Sequence, residues 1–466
     1  MIKIKFGTDG WRAIIAKEYT TDNVARVAKG TADWLLKKQA DPTVVIGHDC
    51  RFGGPLFAAT AAKVFCDNGV KVIMADKFAT TPMVSLAAVR WGAQQGIVIT
   101  ASHNPPTYNG YKLKAHYGGP SVPKVVGEVE DMIPESASIP DTSLEEYEKQ
   151  GMLEYRDMEQ LYFDEVSKGF DLDAINNANF GIGYDAMYGA GRDILPRILP
   201  NATLLHCDNN PGFNGTAPEP LHRNLKEFSA LMAGDSKLHV GLANDGDADR
   251  IGMYDSSGNF IDSHHIILLL IHYLHKYKGM GGKVVIAFSV TDKVRKMCEL
   301  YGIECQVTQI GFKYICGIMV DEDCLLGGEE SGGIAIKGFI PERDGIWMGL
   351  TLFEFMAKTG KSIEELIEEV YEVVGPFVFE RNDLRLDNDL KLQIVENCKA
   401  GKYTSFGKFN VERVEDIDGH KFHLSENEWV MIRPSGTEPV LRVYAEAPTQ
   451  EGVDAILDAT KKILLG

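Results

Sequence analysis

The stretch Gly96-Ile-Val-Ile-Thr-Ala-Ser-His-Asn104 decides the fold, because a buried strand in it runs directly into a polar loop. Upstream, apolar runs of strand length at residues 44–46 and 70–74 alternate with segments of helical periodicity at 55–68 and 82–91. Buried runs separated by helices are typical of a parallel sheet that helices cover. We therefore predict an α/β fold for this part of the chain.

The same alternation of strands and helices occurs three times along the chain. The second repeat has strands at 180–184, 203–206 and 238–243, and the third has strands at 284–288, 304–307 and 324–326. The last strand of each repeat runs into a polar loop, and these loops lie at 101–104, 244–250 and 327–333. Because ligands of open α/β sheets bind beyond the carboxyl ends of the strands, we expect the three loops to line one shared cleft.

The C-terminal part has a different pattern. Apolar residues alternate more strictly at 377–379, 422–424, 429–432 and 440–445, and residues 451–465 have helical periodicity. This predicts a smaller α+β domain. A chain of 466 residues corresponds to roughly three or four domains at about 150 residues each. We place four domains at residues 1–150, 151–258, 259–375 and 376–466.

Composition and charge narrow the class of protein. The chain has 44% hydrophobic and 24% charged residues, as globular proteins do. Its net charge of −18 argues against a broad nucleic-acid surface. The N-terminus lacks a signal-peptide pattern, no apolar run approaches the roughly 20 residues that span a bilayer, and the eight cysteines include no Cys-x-x-Cys pair. We expect a cytoplasmic protein, monomeric or homodimeric, that binds neither nucleic acid nor membrane.

Three carboxylates are concentrated in the metal loop, Asp245-Gly-Asp-Ala-Asp-Arg250. So much negative charge is unfavourable unless a cation binds, and Asp245, Asp247 and Asp249 form a small set of oxygen ligands that suits Mg²⁺. A calcium EF-hand is excluded because Arg250 stands where that loop requires glycine. Arg250 is suited to joining the carboxylates to a phosphoryl group. The alternative is a solvated acidic turn.

Ser102 and His103 lie in the serine loop, residues 101–104, between a buried strand and a proline pair. A serine on such a turn can act as a nucleophile or phosphate carrier. It can equally cap a following helix. His103 is a base, a phosphate contact or a loop residue, and the local sequence leaves these alternatives open.

The sugar loop, Gly328-Glu-Glu-Ser-Gly-Gly333, contains the polar tripeptide Glu-Glu-Ser between glycine residues. The carboxylates of Glu329 and Glu330 and the hydroxyl of Ser331 can hold adjacent sugar hydroxyls. An ordinary acidic turn is the alternative.

The phosphate loop, Arg433-Pro-Ser-Gly-Thr-Glu438, has the donors of an anion site. Ser435, Gly436 and Thr437 offer backbone N–H and hydroxyl groups in a tight turn, and Arg433 offers a guanidinium fork. Arg442 follows a few residues later. A glycine turn between strands is the alternative.

Together and in this order, the four loops resemble those of the α-D-phosphohexomutase family. Further segments that match it lie at residues 6–12, 213–215 and 218–220. The resemblance covers essentially the whole chain. It implies four domains in a heart-shaped arrangement: three similar α/β domains with mixed sheets and a smaller C-terminal α+β domain.

The resemblance also implies a chemistry. Ser102 would carry a phosphoryl group, and Mg²⁺ would be held by Ser102 together with Asp245, Asp247 and Asp249. The phosphoserine would donate to a hexose phosphate, form a 1,6-bisphosphate and take back the other phosphate. Glucose 1,6-bisphosphate would therefore serve as activator and intermediate.

Substrate contacts follow from the same resemblance. Glu329 and Ser331 would hold sugar hydroxyls, and Lys313 matches a basic position of the active site. The phosphate that is not transferred would be bound by Arg433, Ser435, Gly436, Thr437 and Arg442.

Proton transfer is assigned less fully. Arg12 and Lys112 match basic positions near the serine in the family. Some relatives carry a histidine at the end of the sugar loop, where this chain has Gly333. Lys337 and Arg343 are the candidates for that role.

The choice of sugar depends on Glu330, which resembles the glucose-specific pattern of the family. We expect glucose phosphates as substrates, with mannose phosphates also accepted. The alternatives are a phosphoglucosamine mutase, a phosphosugar phosphatase and a non-catalytic phosphosugar-binding protein on the same scaffold.

Overall fold

The computed structural model describes residues 2–434 and 440–466. The chain forms two compact units. The first comprises Met1–Val285 and Gly311–Ile367, and the second comprises Ile286–Ile310 and Glu368–Gly466.

The first sheet of the first unit has six strands in the order β1-β5-β4-β2-β3-β6. They are β1 (Trp11–Ile14), β2 (Thr43–His48), β3 (Lys71–Ala75), β4 (Gln95–Ile99), β5 (Tyr108–Ala115) and β6 (Leu153–Arg156). Its helices are α1 (Thr21–Lys38), α2 (Gly54–Asp67), α3 (Thr81–Arg90), α4 (Pro123–Glu130) and α5 (Leu144–Lys149). Strands β2, β3, β4 and β6 are parallel to one another, whereas β5 is antiparallel to β4 and β1.

The second sheet has the strand order β11-β10-β9-β7-β8. These strands are β7 (Gly181–Asp185), β8 (Thr203–Leu205), β9 (Leu238–Asn244), β10 (Ile251–Asp255) and β11 (Phe260–Ile261). The helices of this region are α6 (Met158–Gly169), α7 (Leu172–Asn176), α8 (Ile194–Ile198) and α9 (Lys226–Gly234).

A third sheet has the order β13-β12-β14-β15. Its strands are β12 (Lys283–Ala287), β13 (Cys305–Thr308), β14 (Cys324–Gly328) and β15 (Ile334–Ile336). The helices along this part of the chain are α10 (Ser263–His272), α11 (Lys293–Tyr301), α12 (Phe312–Asp321), α13 (Gly345–Thr359) and α14 (Ile363–Val374).

The second unit contains a five-stranded antiparallel sheet in the order β16-β22-β21-β20-β19. Its strands are β16 (Val378–Arg385), β19 (Arg413–Glu415), β20 (His420–Ser425), β21 (Glu428–Pro434) and β22 (Val440–Ala447), and a separate hairpin consists of β17 (Ser405–Phe406) and β18 (Phe409–Asn410). The helices are α15 (Asn388–Lys399) and α16 (Gln450–Leu465). The predicted C-terminal α+β fold is confirmed.

Burial explains why the sequence pattern revealed the central strands. Val44, Val45 and Ile46 of β2 and Ile97 and Val98 of β4 have no exposed surface. A strand covered on both faces carries a continuous apolar run instead of an alternating one. These runs of β-branched residues therefore identified β2 and β4 from the sequence.

The three functional loops of the first unit each connect two antiparallel neighbours. The serine loop joins β4 to β5, the metal loop joins β9 to β10, and the sugar loop joins β14 to β15. The sequence pattern predicted the first strand of each pair but none of the second strands. Strand β5 was missed because it carries buried polar residues, including Lys112 and Lys114. The sheets are mixed, as the family resemblance implied, and not purely parallel as the apolar runs alone suggested.

Three further features bear on the sequence predictions. All eight cysteines are free thiols, and six of them are buried. Within the described part of the chain, none of the helices combines the length and apolar character needed to cross a bilayer. Strand β6 belongs to the first sheet although it lies beyond residue 150. The three predicted domain boundaries stay predictions.

Candidate active site

Ser102 lies at the centre of the site in the first unit. Its φ of 51° places it in the left-handed region, which is sparsely populated for residues other than glycine. The backbone N–H donates to Thr100 Oγ1 at 2.8 Å, and the buried hydroxyl donates to Asp245 Oδ2 at 2.6 Å. His103 Nδ1 lies 3.2 Å from the same hydroxyl oxygen. The serine predicted as phosphate carrier therefore contacts the predicted metal loop.

Arg51 holds the serine loop in this conformation. Its guanidinium donates to the carbonyl oxygens of Ser102, Asn104 and Pro105, the last at 2.9 Å. The guanidinium also pairs with Asp49, whose Oδ2 lies 3.2 Å from Arg51 Nε. Both side chains are completely buried. The planar fork of an arginine can bind several carbonyls at once, so Arg51 stabilises the strained turn.

The metal loop brings its three carboxylates together. One oxygen from each of Asp245, Asp247 and Asp249 lies within 4.8 Å of the others, and all three residues are buried. Ala248 between them has a φ of 58°. This left-handed residue lets the loop turn so that alternate side chains converge.

Basic side chains neutralise the outer oxygens of two of these carboxylates. Lys112 Nζ donates to Asp247 Oδ2 at 2.7 Å and to Asp249 Oδ2 at 2.8 Å, and it lies 3.0 Å from Asp9. Arg343 lies 2.9 Å from Asp249 Oδ2 and also pairs with Asp9. Burial alone would lower the pKa of Lys112, but the surrounding carboxylates raise it, so the ammonium remains charged.

The remaining oxygens of the two carboxylates fit a metal ion. Oδ1 of Asp247 and Oδ1 of Asp249 are buried and have no hydrogen-bond partner among the described residues. Buried polar atoms without a partner are rare and costly. Two oxygens that share one Mg²⁺ lie at most about 4.2 Å apart, and one oxygen from each of the three aspartates lies within 4.8 Å of the others. The donor set therefore suits a small divalent cation.

Burial and neighbouring charges shift the pKa values of Asp245 and His103, the two side chains that contact the Ser102 hydroxyl. Burial, reinforced by Asp247 and Asp249, raises the pKa of Asp245 well above its ordinary value. Burial and nearby cations, Arg250 first among them, hold the pKa of His103 well below its ordinary value, so the imidazole is neutral at pH 7. A carboxyl group that resists ionisation beside two others is typical of a site that a divalent cation completes.

Gly246 allows the serine loop and the metal loop to touch. A Cβ at this position would lie 2.6 Å from the carbonyl oxygen of Ser102 and 3.1 Å from Pro218 Cγ. Any other residue would push the two loops apart. The glycine between the first two aspartates is therefore required by packing.

The sugar loop is tied to the metal hairpin. The N–H of Ile251 donates to the carbonyl oxygen of Gly332 at 3.1 Å. Burial raises the pKa of Glu329 to about 7. A Cβ at Gly333 would lie 2.5 Å from Arg343 Cδ. The space beside Gly333 is therefore filled by Arg343, one of the two candidates considered for that role.

Two other predicted residues of the first unit lie in β1 and α12. Arg12 in β1 faces Gly110 of β5, and its guanidinium donates to Asn104 Oδ1 at 2.6 Å. Lys313 lies in the first turn of α12, with Nζ 5.5 Å from the centre of the Tyr314 ring.

Arg250 and Ser331 complete the set in this unit. The backbone N–H of Arg250 donates to Asp245 Oδ1 at 3.0 Å, and its side chain lies 3.5 Å from Glu219. Ser331 is half-buried in the sugar loop. The bridging role predicted for Arg250 stays a prediction.

The described part of the phosphate loop lies in the second unit. Arg433 in β21 is paired with Arg442 in β22, and Arg433 Nε donates to Asp418 at 3.0 Å. Two neighbouring guanidiniums are suited to binding an anion. Ser435, Gly436 and Thr437 lie outside the described residues.

Sequence reasoning missed three residues of the site. Asp9 lies in the matching segment 6–12 but was assigned no role, yet it contacts both Lys112 and Arg343. Arg51 follows the buried strand β2, and a polar residue at such a strand end was the signal that could have found it. Thr81, whose hydroxyl donates to Asp247, had no sequence signal.

Comparison with known proteins shows which family the chain resembles along its length. Models of the phosphoglucomutase/phosphomannomutase family match along the chain: alpha/beta/alpha domain I over residues 3–139, domain II over 160–258, domain III over 262–374 and the C-terminal domain over 388–463. A phosphoglucomutase/phosphomannomutase of Thermococcus kodakarensis is 28% identical over 98% of each chain. A probable phosphoglucosamine mutase of Pyrococcus abyssi is 28% identical over 98% of this chain and 97% of its own.

A solved structure gives the same result. A crystal structure assigned as a phosphomannomutase of Thermus thermophilus has 31% sequence identity and a TM-score of 0.88, with 100% of both chains covered. Three α/β domains and a C-terminal domain match in order, and a serine loop meets an aspartate loop within the fold. The chain therefore belongs to the phosphoglucomutase/phosphomannomutase family, the α-D-phosphohexomutases, which are intramolecular phosphotransferases.

Proposed function

We propose that this protein interconverts hexose 1-phosphates and hexose 6-phosphates through a phosphoserine at Ser102, with glucose phosphates as its preferred substrates. One observation carries the proposal. The buried hydroxyl of Ser102 donates to Asp245 at 2.6 Å, within a loop where Asp247 and Asp249 each keep one buried oxygen without a hydrogen-bond partner among the described residues. A serine that only caps a turn has no need of three clustered carboxylates beside it.

The residues around Ser102 suit reversible phosphoryl transfer. In one direction the bond between phosphorus and Ser102 Oγ breaks, its electron pair stays on Oγ, and phosphorus bonds to a sugar hydroxyl oxygen. That hydroxyl loses its proton and Oγ gains one, so the serine ends as a free hydroxyl. Neutral His103, 3.2 Å from Oγ, is placed to exchange a proton with the serine oxygen. In the other direction the bond between the second phosphate of the bisphosphate and its sugar oxygen breaks, phosphorus bonds to Oγ, and the proton lost by Oγ is balanced by one gained by the sugar oxygen.

A divalent cation fits the metal loop. Asp245, Asp247 and Asp249 would hold Mg²⁺, with a phosphoserine oxygen of residue 102 as a further ligand. When bound, Mg²⁺ stabilises the negative charge of the transferring phosphoryl group. Lys112 donates hydrogen bonds to Asp247 and Asp249, so these two carboxylates are already positioned before substrate binds.

Substrate binding is proposed for the remaining loops. Glu329 and Ser331 would accept or donate hydrogen bonds to sugar hydroxyls. Arg433 and Arg442, adjacent across two strands, would bind a substrate phosphate. Glucose is proposed because Glu330 resembles the glucose-specific pattern; a glucosamine substrate is the alternative that the name of a 28% identical relative favours.

Turnover on three substrates tests the proposal. Glucose 1-phosphate, mannose 1-phosphate and glucosamine 1-phosphate are each supplied with Mg²⁺ and a trace of the corresponding 1,6-bisphosphate. We expect glucose 1-phosphate to have the highest kcat/KM, with conversion to the 6-phosphate and no free phosphate released. Release of inorganic phosphate in step with substrate loss would make the protein a phosphatase. A preference for glucosamine 1-phosphate would overturn the sugar assignment alone.

A further inference from the structure

A buried threonine, Thr81, connects the first turn of α3 to the metal loop. Its Oγ1 donates to Asp247 Oδ2 at 2.5 Å, and its backbone N–H donates to the carbonyl oxygen of Asp247 at 3.0 Å. Because Thr81 is the first helical residue after the Thr80 cap, its N–H has no acceptor within the helix. Both donors of Thr81 are thus used on one residue of the metal loop, 166 positions away in the sequence.

The two oxygens of Asp247 have different surroundings. Oδ2 accepts from Thr81 Oγ1 at 2.5 Å and from Lys112 Nζ at 2.7 Å, whereas Oδ1 is buried without a hydrogen-bond partner among the described residues. A carboxylate rotates easily about its last torsion, which is broad and two-fold. Something must therefore determine which oxygen faces the cation.

Lys112 alone is poorly suited to that task. Its ammonium is shared among Asp247 at 2.7 Å, Asp249 at 2.8 Å and Asp9 at 3.0 Å. An ammonium acts as a point charge on a flexible stem and imposes little direction. The hydroxyl of Thr81, by contrast, lies on a helix, is completely buried and donates to Asp247 Oδ2.

We propose that Thr81 is a positioning residue that selects the metal-binding oxygen of Asp247: it occupies Oδ2 and thereby directs Oδ1 towards the divalent cation. The inference rests on the proposed metal site and adds to it a residue that no loop motif contains. Hydrogen bonds to the far side of a metal ligand typically change metal affinity by about 10–100-fold. The same magnitude is expected here.

Three variants test the role of the hydroxyl. Thr81→Val keeps the shape and removes the donor, Thr81→Ser keeps the donor, and Thr60→Val is the matched control. Thr60 is a buried helical threonine whose hydroxyl donates to the carbonyl oxygen of Leu56 at 2.9 Å. The measurement is the dissociation constant of Mg²⁺ and of Mn²⁺ for the unphosphorylated protein by isothermal titration calorimetry, with the Tm without metal recorded for each variant.

We expect Thr81→Val to bind both cations about 10–100-fold more weakly and Thr81→Ser and Thr60→Val to bind them as the wild type does. Equal affinity of Thr81→Val and wild type would overturn the positioning role while leaving the metal site intact. If the wild type binds neither cation, the proposed metal site itself fails, and the inference fails with it. A lower Tm with unchanged affinity would indicate a structural role only.

A crystal structure of the wild type with Mn²⁺ provides a measurement that does not depend on the variants. The expected result is ligation by Asp247 Oδ1, with Thr81 Oγ1 still bonded to Oδ2. Ligation by Oδ2, or loss of the Thr81 hydrogen bond when the cation is present, would contradict the inference.

Discussion

Replacing Gly246 by alanine tests whether contact between the serine loop and the metal loop is needed for activity. The added Cβ would lie 2.6 Å from the carbonyl oxygen of Ser102, whereas ordinary contacts begin at 3.4 Å. The two loops must therefore separate by about 0.8 Å, the difference between these two distances. A misplacement of about 1 Å can reduce catalysis by ~100-fold, and overpacking costs about 1–3 kcal/mol of stability.

We expect Gly246→Ala to lose roughly 100-fold in kcat while remaining folded with a lower Tm. The assay is conversion of glucose 1-phosphate to glucose 6-phosphate, with thermal unfolding followed by circular dichroism. Gly127→Ala is the matched control, because a Cβ at this position in α4 meets no atom within 4 Å. Full kcat in Gly246→Ala would refute the argument that the two loops must touch.

Two other substitutions test individual carboxyl groups, the proposed metal ligand Asp247 and the buried Glu446. Asp247→Asn should abolish the response of activity to Mg²⁺ with little change in Tm, because the amide keeps the shape of the side chain but loses its charge; a retained Mg²⁺ response would contradict the assignment of the metal loop. In the second unit, burial raises the pKa of Glu446 to about 7. The folded state thus holds this proton more tightly than the unfolded state, where the pKa is about 4.3, so stability is full below that value and is lost as the pH rises through about 7. Glu446→Gln should flatten the fall in Tm between about pH 5 and pH 8, and superimposable profiles of variant and wild type would exclude Glu446 as the titrating group.

The strands and loops with strong sequence signals were predicted well. Continuous apolar runs identified β2, β4 and β9, because these strands are buried on both faces. The order of the four loops identified the family. The pattern of apolar residues could not predict contacts between distant segments of the chain. Strand β5 was missed because Lys112 and Lys114 are buried in it, each paired with carboxylates from other elements.

In the site, too, local sequence patterns were predicted correctly, whereas contacts between distant residues were not predicted. The spacing of the three aspartates predicted a cation site, and the structure brings them together. Gly333 was expected to leave a proton-handling role open, but the space beside it is filled by Arg343. Thr81 contributes through a hydrogen bond to a residue 166 positions away, and no local pattern distinguishes it from any other threonine at the start of a helix.

The central claim is that Ser102 carries the phosphoryl group, and intact-mass analysis of the purified protein tests it most directly. After incubation with glucose 1,6-bisphosphate and Mg²⁺, we expect the mass of one added phosphoryl group, located on Ser102 by fragmentation, absent from Ser102→Ala and lost again on addition of excess glucose 6-phosphate. We expect Ser102→Ala to remain folded and to have no mutase activity. Turnover at the wild-type rate by Ser102→Ala, or with no phosphoryl group on Ser102 at any stage, would contradict the claim.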